Sequence, residues 1–299
     1  CTDKHEIYFL SLISKNIQLY SEMIVANAII RGDRDKLLSF KKISNPVTLQ
    51  VGGSNPDELA EACKIVEDYG YKEINLNLGC PSKKVQKNKF GACLMAEPDL
   101  VAKCIEAMAK STSLPITIKT RIGYNEVENF EFLKSFIQRT KDAGSQKFII
   151  HARKALLKKL SPKENLNIPP LKYKFVYKIK EYFKDDEIII NGGIKTTDDI
   201  KNHLSKVDGA MIGRAIYHSP YFLAEIEKDI FNNDNVPTRS EVMEKLIPYI
   251  QEQTSNGIQL NHIMRHTVGL FHGQNGSRTW KQYLSKNMCI RDADLQKVN

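Results

Sequence analysis

Seven short apolar runs punctuate the first 213 residues, at 19–24, 46–51, 73–78, 115–120, 147–151, 187–191 and 209–213. Segments with helical periodicity lie between them, at 32–41, 54–70, 99–110, 128–143, 170–183 and 197–204. Several runs close on glycine or a polar residue: Gly52-Gly53, Gly79, His151, Asn191-Gly192-Gly193 and Gly213. Short apolar strands that alternate with helices form a parallel sheet covered by helices. So long an alternation predicts an α/β fold, a (β/α)8 barrel, whose site is built from loops at the carboxyl ends of its strands. The runs are one short of eight. Residues 2–16 already read as a helix, with Ile7, Phe9, Leu10, Leu12 and Ile13 on one face. The missing first strand is therefore expected before Cys1, in a natural chain that begins earlier.

After Phe231 the pattern changes. Residues 232–240 are a polar linker, and 240–256, 259–271 and 278–288 read as helices, with Asn256-Gly257 as a stop. Residues 1–231 are expected to form the barrel domain and 240–299 a small all-α domain.

The stretch 74–95, INLNLGCPSKKVQKNKFGACLM, concentrates the chemistry. Ile74, Leu76 and Leu78 alternate with Asn75 and Asn77, a strand with one apolar edge. Gly79-Cys80-Pro81 ends it, and a basic loop with Lys83, Lys84, Lys87 and Lys89 leads to Phe90-Gly91-Ala92-Cys93. A thiol on a glycine-hinged loop beside ammonium groups is a candidate proton donor or nucleophile, and Cys93 is the leading one. Cys80 is a weaker candidate, while Cys63 and Cys104 lie in helices among apolar residues and read as core. With Cys1 and Cys289 these make six cysteines and no CxxC pair, the usage of a reducing, cytosol-like compartment. The location is expected to be cytoplasmic, or organellar if a leader preceded Cys1.

Charge is placed unevenly. Residues 80–93 carry +4 and residues 151–184 carry +8, so a chain of net charge +9 is −3 elsewhere. Local basic loops favour a bound polyanion. Tyr173, Tyr177 and the lysines of 172–184 offer one aromatic, cationic surface, and Arg265, His266, Arg278, Trp280 and Lys281 another. No apolar run approaches a membrane span, and no HExxH or other metal spacing occurs, so neither membrane nor metal is expected.

Lys119 sits near the end of a strand between apolar neighbours, where a cation is costly unless it meets an anion or a polarised ring. His151 ends its own strand and is followed by Arg153. Asn191-Gly192-Gly193 and Gly213-Arg214 end what become strands seven and eight once a first strand is restored. That pair is the usual phosphate site of such barrels, and it points to a phosphate-bearing cofactor such as FMN. No GxGxxG fingerprint or Walker A motif competes with it.

These motifs resemble, in order, those of the tRNA-dihydrouridine synthases: GCPSKKVQ, FGACLM, ITIKTRIG, FIIHARKA, LSPKENLNIPPL, INGGIK and MIGRAIY. HARKA, SPKEN and IPPL, with GLFHGQNGSRTWKQYL, look like the A type, which acts on D-loop uridines 20 and 20a. The resemblance implies an FMN barrel and a helical tRNA-binding domain. NAD(P)H, usually NADPH, reduces the flavin, hydride passes to uridine C6, and a cysteine protonates C5. Carried over by motif, the acid is Cys93. The flavin contacts are Gln50, Lys119, His151, Asn191, Gly192, Gly193, Gly213 and Arg214, and the tRNA contacts fall at Phe90, Lys163, Leu166, Arg278 and Lys281. Three departures stand out. A Pro-Met flavin contact of the family's first strand is missing. Leu166 replaces a common arginine, and Lys281-Gln282 replaces an arginine pair. Lysine keeps charge but loses the bidentate fork, and Leu166 removes a cation, so the choice between uridines 20 and 20a stays open.

The expectation is thus a monomeric, FMN- and NADPH-dependent tRNA-dihydrouridine synthase. Two rivals are a flavin barrel acting on a free pyrimidine, which leaves the basic loops unexplained, and a non-catalytic tRNA-binding protein, against which Cys93, Lys119 and His151 speak.

Overall fold

Every one of the seven apolar runs is a strand. The computed structural model describes residues 2–288, so Cys1, Cys289 and the end of the segment 240–299 lie outside the described residues. In chain order the elements are α1 (Lys4–Ile13), β1 (Leu19–Val25), α2 (Ala26–Arg31), α3 (Arg34–Leu38), β2 (Val47–Gly52), α4 (Pro56–Glu67) and β3 (Glu73–Asn77). There follow α5 (Lys83–Lys87), α6 (Pro98–Ser111), β4 (Ile116–Arg121), α7 (Phe130–Asp142), β5 (Lys147–His151), α8 (Tyr173–Tyr182), β6 (Glu187–Asn191), α9 (Thr197–Leu204) and β7 (Gly209–Met211). The chain continues through α10 (Arg214–His218), α11 (Phe222–Phe231), α12 (Arg239–Ser255), α13 (Leu260–Met264) and α14 (Ser277–Asn287). Short 3-10 turns occur at Gly91–Ala96 and Glu164–Leu166.

All strand pairings are parallel, and strand order equals sequence order from β1 to β7. A doubly wound sheet reverses its order partway; continuous order is the winding of a (β/α) barrel. Packing divides the chain into two compact units. Leu19–Ser39 with Pro46–Ile212 holds the whole sheet; the described parts of Cys1–Gln18 and Gly213–Asn299, with Phe40–Asn45, form the other.

Within the barrel unit, strand alternation separates two environments. Ile74, Leu76, Ile116, Ile118, Phe148, Ile150, Ile188 and Ile190 are fully buried on the face that helices cover. Most alternate positions carry polar groups, Ile149 and Ile189 apart, and several of these bond to one another. Lys147 Nζ lies 2.8 Å from Glu73 Oε2. Thr117 Oγ1 donates to Glu73 Oε1 at 2.8 Å, and Tyr20 OH does so at 3.3 Å. Asn75 Nδ2 in turn donates to Thr117 Oγ1 at 2.9 Å. A charge pair inside the barrel is tolerated because its desolvation is offset by these extra hydrogen bonds.

In the second unit, α1 buries Ile7, Phe9, Leu10 and Ile13. Its His5 Nδ1 pairs with Tyr249 OH of α12 at 2.8 Å, and the Tyr8 and Tyr249 rings stack at 4.1 Å. Two local expectations need correction, and one helix, α2, lies where no element was expected. The basic loop after β3 is partly helical, as α5. Residues 26–31 form α2, which no glycine or proline sets off from β1. The expected helix over 259–271 is only α13 followed by turns, because side chains take its later carbonyls: Trp280 Nε1 donates to Thr267 O at 3.1 Å and Arg239 Nε to Leu270 O at 2.9 Å.

Lys147→Met leaves the Glu73 carboxylate buried and uncompensated, and should cost about 3–5 kcal/mol in urea denaturation. Adding Glu73→Gln should return a large part of that loss.

Candidate active site

β6 ends at Asn191 and runs into Gly192, at φ +116°, and Gly193, at φ +76°. Both glycines are required. A Cβ on Gly192 would meet the His151 Cε1 and Nε2 atoms at 3.2 Å, and one on Gly193 would meet Leu171 Cδ1 at 2.6 Å. Tyr173 OH donates to Gly192 O at 2.7 Å and holds the turn. Bare backbone in the left-handed region is the form of a phosphate-type cradle.

Around this turn the strand ends interlock. Lys119 Nζ of β4 donates to Asn191 Oδ1 at 3.1 Å, and Asn191 Nδ2 donates to Met211 O at 2.8 Å. His151 is buried at the end of β5, and its Nδ1 accepts the Arg153 N–H at 3.2 Å. In the neutral ring that bond assigns the proton to Nε2, the atom nearer Gly192. On β2, Gln50 Oε1 accepts from Asn77 Nδ2 at 2.7 Å and its Nε2 donates to Asn75 Oδ1 at 2.9 Å, which orients the amide. Gly213 and Arg214 follow β7 along the chain and belong to the other unit, with Gly213 capping α10 at φ −113°.

The field here is positive. Burial, reinforced by the Arg121 guanidinium, pushes the Lys119 ammonium down to about 8. Arg121 is itself pushed down to about 10 by burial. Its Nε donates to Gly79 O at 2.9 Å and its Nη1 to Lys154 O at 3.1 Å and Asn165 O at 3.2 Å. Carbonyls satisfy its hydrogens without cancelling its charge, so an anion or electron-rich ring is favoured nearby.

Cys93 lies in the 3-10 turn Gly91–Ala96, half-buried, with its Sγ donating to Phe90 O at 3.1 Å. Gly91, at φ +76°, makes the turn possible: a Cβ there would lie 2.7 Å from Cys80 O, and Ala92 N donates to that same oxygen at 3.0 Å. Burial pushes the Cys93 thiol up, and nearby Glu97 adds to the effect. The lysines at 83, 84, 87 and 89 point their side chains to solvent. The thiol is therefore kept protonated, the state of an acid rather than of a nucleophile. Cys93 and Tyr124 pack against Ala92, Ala155 and Leu157, so the loop after β5 forms one wall beside the thiol.

Arg121 and Asn165 are organising residues that motif reading did not single out. Asn165 is fully buried; its Oδ1 accepts Leu156 N at 2.7 Å and its Nδ2 donates to the carbonyls of Leu156, Leu160 and Ser161 at 3.1 Å. The apolar-neighbour argument made for Lys119 applies equally to Arg121, two residues on along the same strand face.

The residues named for tRNA contact occupy different settings. Lys163, Arg278 and Lys281 are exposed, the last two spaced to share one face of α14. Leu166 is half-buried. Phe90 is 5% exposed, its ring beside Gly52. The two proposed aromatic surfaces are largely used internally. Tyr173 holds Gly192, and Tyr177 OH pairs with His203 Nδ1 at 2.8 Å. Arg265 pairs with Asp3, His266 Nε2 lies 3.0 Å from Asp3 Oδ1, and Trp280 packs edge-on against Phe271. Among the described residues no group of three or more His, Cys, Asp or Glu could hold a metal ion, and no helix is long and apolar enough to cross a membrane.

A parallel barrel whose strand ends gather an uncancelled buried cation, an imidazole, bare left-handed glycines and a protonated thiol is an enzyme of the (β/α)-barrel class. The family model for dihydrouridine synthase matches residues 1–298. A tRNA-dihydrouridine(20/20a) synthase of Synechocystis sp. is 48% identical over 293 residues, covering 98% of this chain and 88% of that protein. Proteins of the same description from Pasteurella multocida and Vibrio parahaemolyticus are 48% and 47% identical and cover 99% and 96% of the chain, and 91% and 88% of their own lengths. The chain belongs to the dihydrouridine synthase family, and is accordingly an oxidoreductase.

The Lys119 shift has a sign that can be measured. Its value of about 8 in the fold lies below the ~10.4 of an unfolded lysine. The penalty for burying the cation is thus complete below pH 8 and fades as pH rises toward ~10.4, where the unfolded chain alone still binds the proton. Flavin-free Lys119→Met should therefore melt above the wild type near pH 7, and the gap should close by pH ~10. A pH-independent gap in thermal scans would refute the shift.

Proposed function

We propose that this chain reduces uridine at position 20 or 20a of tRNA to 5,6-dihydrouridine, with FMN as cofactor and NADPH as reductant. The observation that carries the proposal is the pairing of a protonated, half-buried thiol at Cys93 with the positive, glycine-floored rim around Lys119. The names of the relatives supply the substrate class and the two positions.

The rim suits FMN on its own geometry. The backbone at Gly192 and Gly193 turns through the left-handed region with no side chain of its own, the form in which peptide groups cradle a phosphate. Gln50, Lys119, His151, Asn191, Gly192 and Gly193 would hold the cofactor. FMN, when bound, supplies to uridine C6 a hydride that comes from NADPH. Lys119 and Arg121 favour electron density on an adjacent ring, because neither cation is cancelled by a carboxylate. Cys93 supplies the proton that balances the addition, passing it from Sγ to C5, and the resulting thiolate is reprotonated from solvent. The apolar wall of Ala92, Ala155 and Leu157 keeps the thiol neutral until that step.

Phe90, Lys163, Leu166, Arg278 and Lys281 are proposed to form the tRNA contacts, Phe90 by shaping the turn that presents Cys93. Exposed cations at 163, 278 and 281 provide phosphate contacts; Leu166 offers an apolar one where a cation is common. The chain is proposed to act as a monomer.

With FMN, NADPH and tRNA from a strain lacking dihydrouridine, digestion and mass spectrometry should reveal a D-loop fragment heavier by two hydrogens. Reduction of free uracil without tRNA, or no flavin binding at all, would favour the rivals. Cys93→Ala should lower tRNA reduction about 10²–10⁴-fold while FMN stays bound and reducible. Charge reversal at Lys163 or Arg278 should weaken tRNA binding and leave flavin reduction by NADPH unchanged; equal loss of both would remove those residues from the tRNA surface.

A further inference from the structure

Residues 152–172 leave the barrel and return to nearly the same point. Lys172 N donates to Ala152 O at 2.8 Å, and the Arg153 guanidinium reaches Pro169 O, so the neck of the loop is closed. One carboxylate also spans that neck. Glu128, on the segment between β4 and α7, has Oε2 at 3.1 Å from Lys154 Nζ and Oε1 at 3.2 Å from Lys172 Nζ. Its side chain is only 11% exposed, against 81% for Glu126, whose pairing with Lys159 is open to solvent. The first lysine of the loop and its last are thus taken by the same anion, while Lys158 and Lys163 between them are exposed.

This neck bears on the thiol. Within the loop, Ala155 and Leu157 pack against Ala92 and Cys93, and Gln86 Nε2 donates to Leu157 O at 3.0 Å. A carboxylate that ties the two ends of the loop fixes the wall that faces the acid. It also competes for two lysines that would otherwise be open to phosphate. The +8 of this stretch, as a chain total, therefore overstates what an RNA meets.

We propose that Glu128 is a positioning and specificity residue for tRNA: it withholds Lys154 and Lys172 from phosphate and keeps the 152–172 loop seated against Cys93. The inference rests on the tRNA-reducing reading. Its consequence is a separation of binding from turnover. Releasing the two lysines strengthens contact with any RNA backbone, and releasing the loop slows the reaction.

The test uses full-length, FMN-loaded protein, with tRNA lacking dihydrouridine and an unrelated RNA hairpin as ligands, over a salt series. Glu128→Gln should steepen the plot of log affinity against log salt by about 0.7–0.9 for each lysine released, and should raise affinity for the hairpin. Its kcat on tRNA should fall about ten- to a hundredfold. Adding Lys154→Gln and Lys172→Gln should restore the wild-type slope without restoring kcat. A merely structural glutamate would lower kcat and leave the slope alone. Should Glu128→Gln fail to fold, Lys154→Gln with Lys172→Gln in the wild type still decides: an unchanged slope supports the inference, and a loss of about one unit or more overturns it. Wild-type turnover with an unchanged slope in folded Glu128→Gln overturns this inference alone. A wild type that neither binds nor reduces tRNA overturns the activity reading, and this one with it.

Discussion

The Arg121 guanidinium holds the working end of the barrel together. It is a full charge in a buried position, and its hydrogens go to the carbonyls of Gly79, Lys154 and Asn165 rather than to a carboxylate. Those carbonyls belong to the exit of β3 and to the loop after β5. One side chain therefore sets the spacing of the segment that leads to Cys93 and of the segment that walls it. Since carbonyls bind the hydrogens without cancelling the charge, the same contact that organises the loops leaves the rim positive. Burial, with this charge adding to it, makes Lys119, two residues earlier on the same strand face, hold its proton less firmly. Structure and electrostatics here are one arrangement.

Polarity is handled in opposite ways at different depths. Lower in the barrel, Lys147 pairs with Glu73 and with Glu187, and Glu73 also accepts from hydroxyls, so charge there is met within the fold. At the rim, Lys119 and Arg121 bond to an amide oxygen and to carbonyls rather than to carboxylates, and glycines leave backbone bare. Paired charge thus lies deep in the barrel, and charge not matched by a carboxylate lies at the rim. The thiol follows a third rule. Burial keeps its proton in place despite a lysine-rich neighbourhood, because those lysines extend into water while the sulfur faces an apolar wall.

Sequence patterning carried the strands, since the face that helices cover must be apolar at every second position and local punctuation marks the ends. Gly192-Gly193 was legible for the same reason: its backbone angles exclude other residues. Roles that depend on long-range partners were hidden. Glu128 resembles any loop glutamate until two lysines eighteen residues apart in sequence prove to share it. Tyr173, Tyr177 and Trp280 each have a polar tip engaged within the fold, which composition cannot show. The helix expected over 259–271 failed likewise: the indole and guanidinium that take its carbonyls come from α14 and α12.

The second unit is assembled from distant parts of the chain, and that has a consequence for how the protein is made. The partners His5 and Tyr249 are 244 residues apart. At roughly 5–20 residues per second, a ribosome needs roughly 10–50 s to travel from one to the other. Throughout that interval α1 carries Ile7, Phe9, Leu10 and Ile13 with no α12 to cover them, while the barrel strands emerge and pair. A helix made before β1 to β7 is thus among the last elements to find its place, which makes the nascent chain a natural client for holding chaperones.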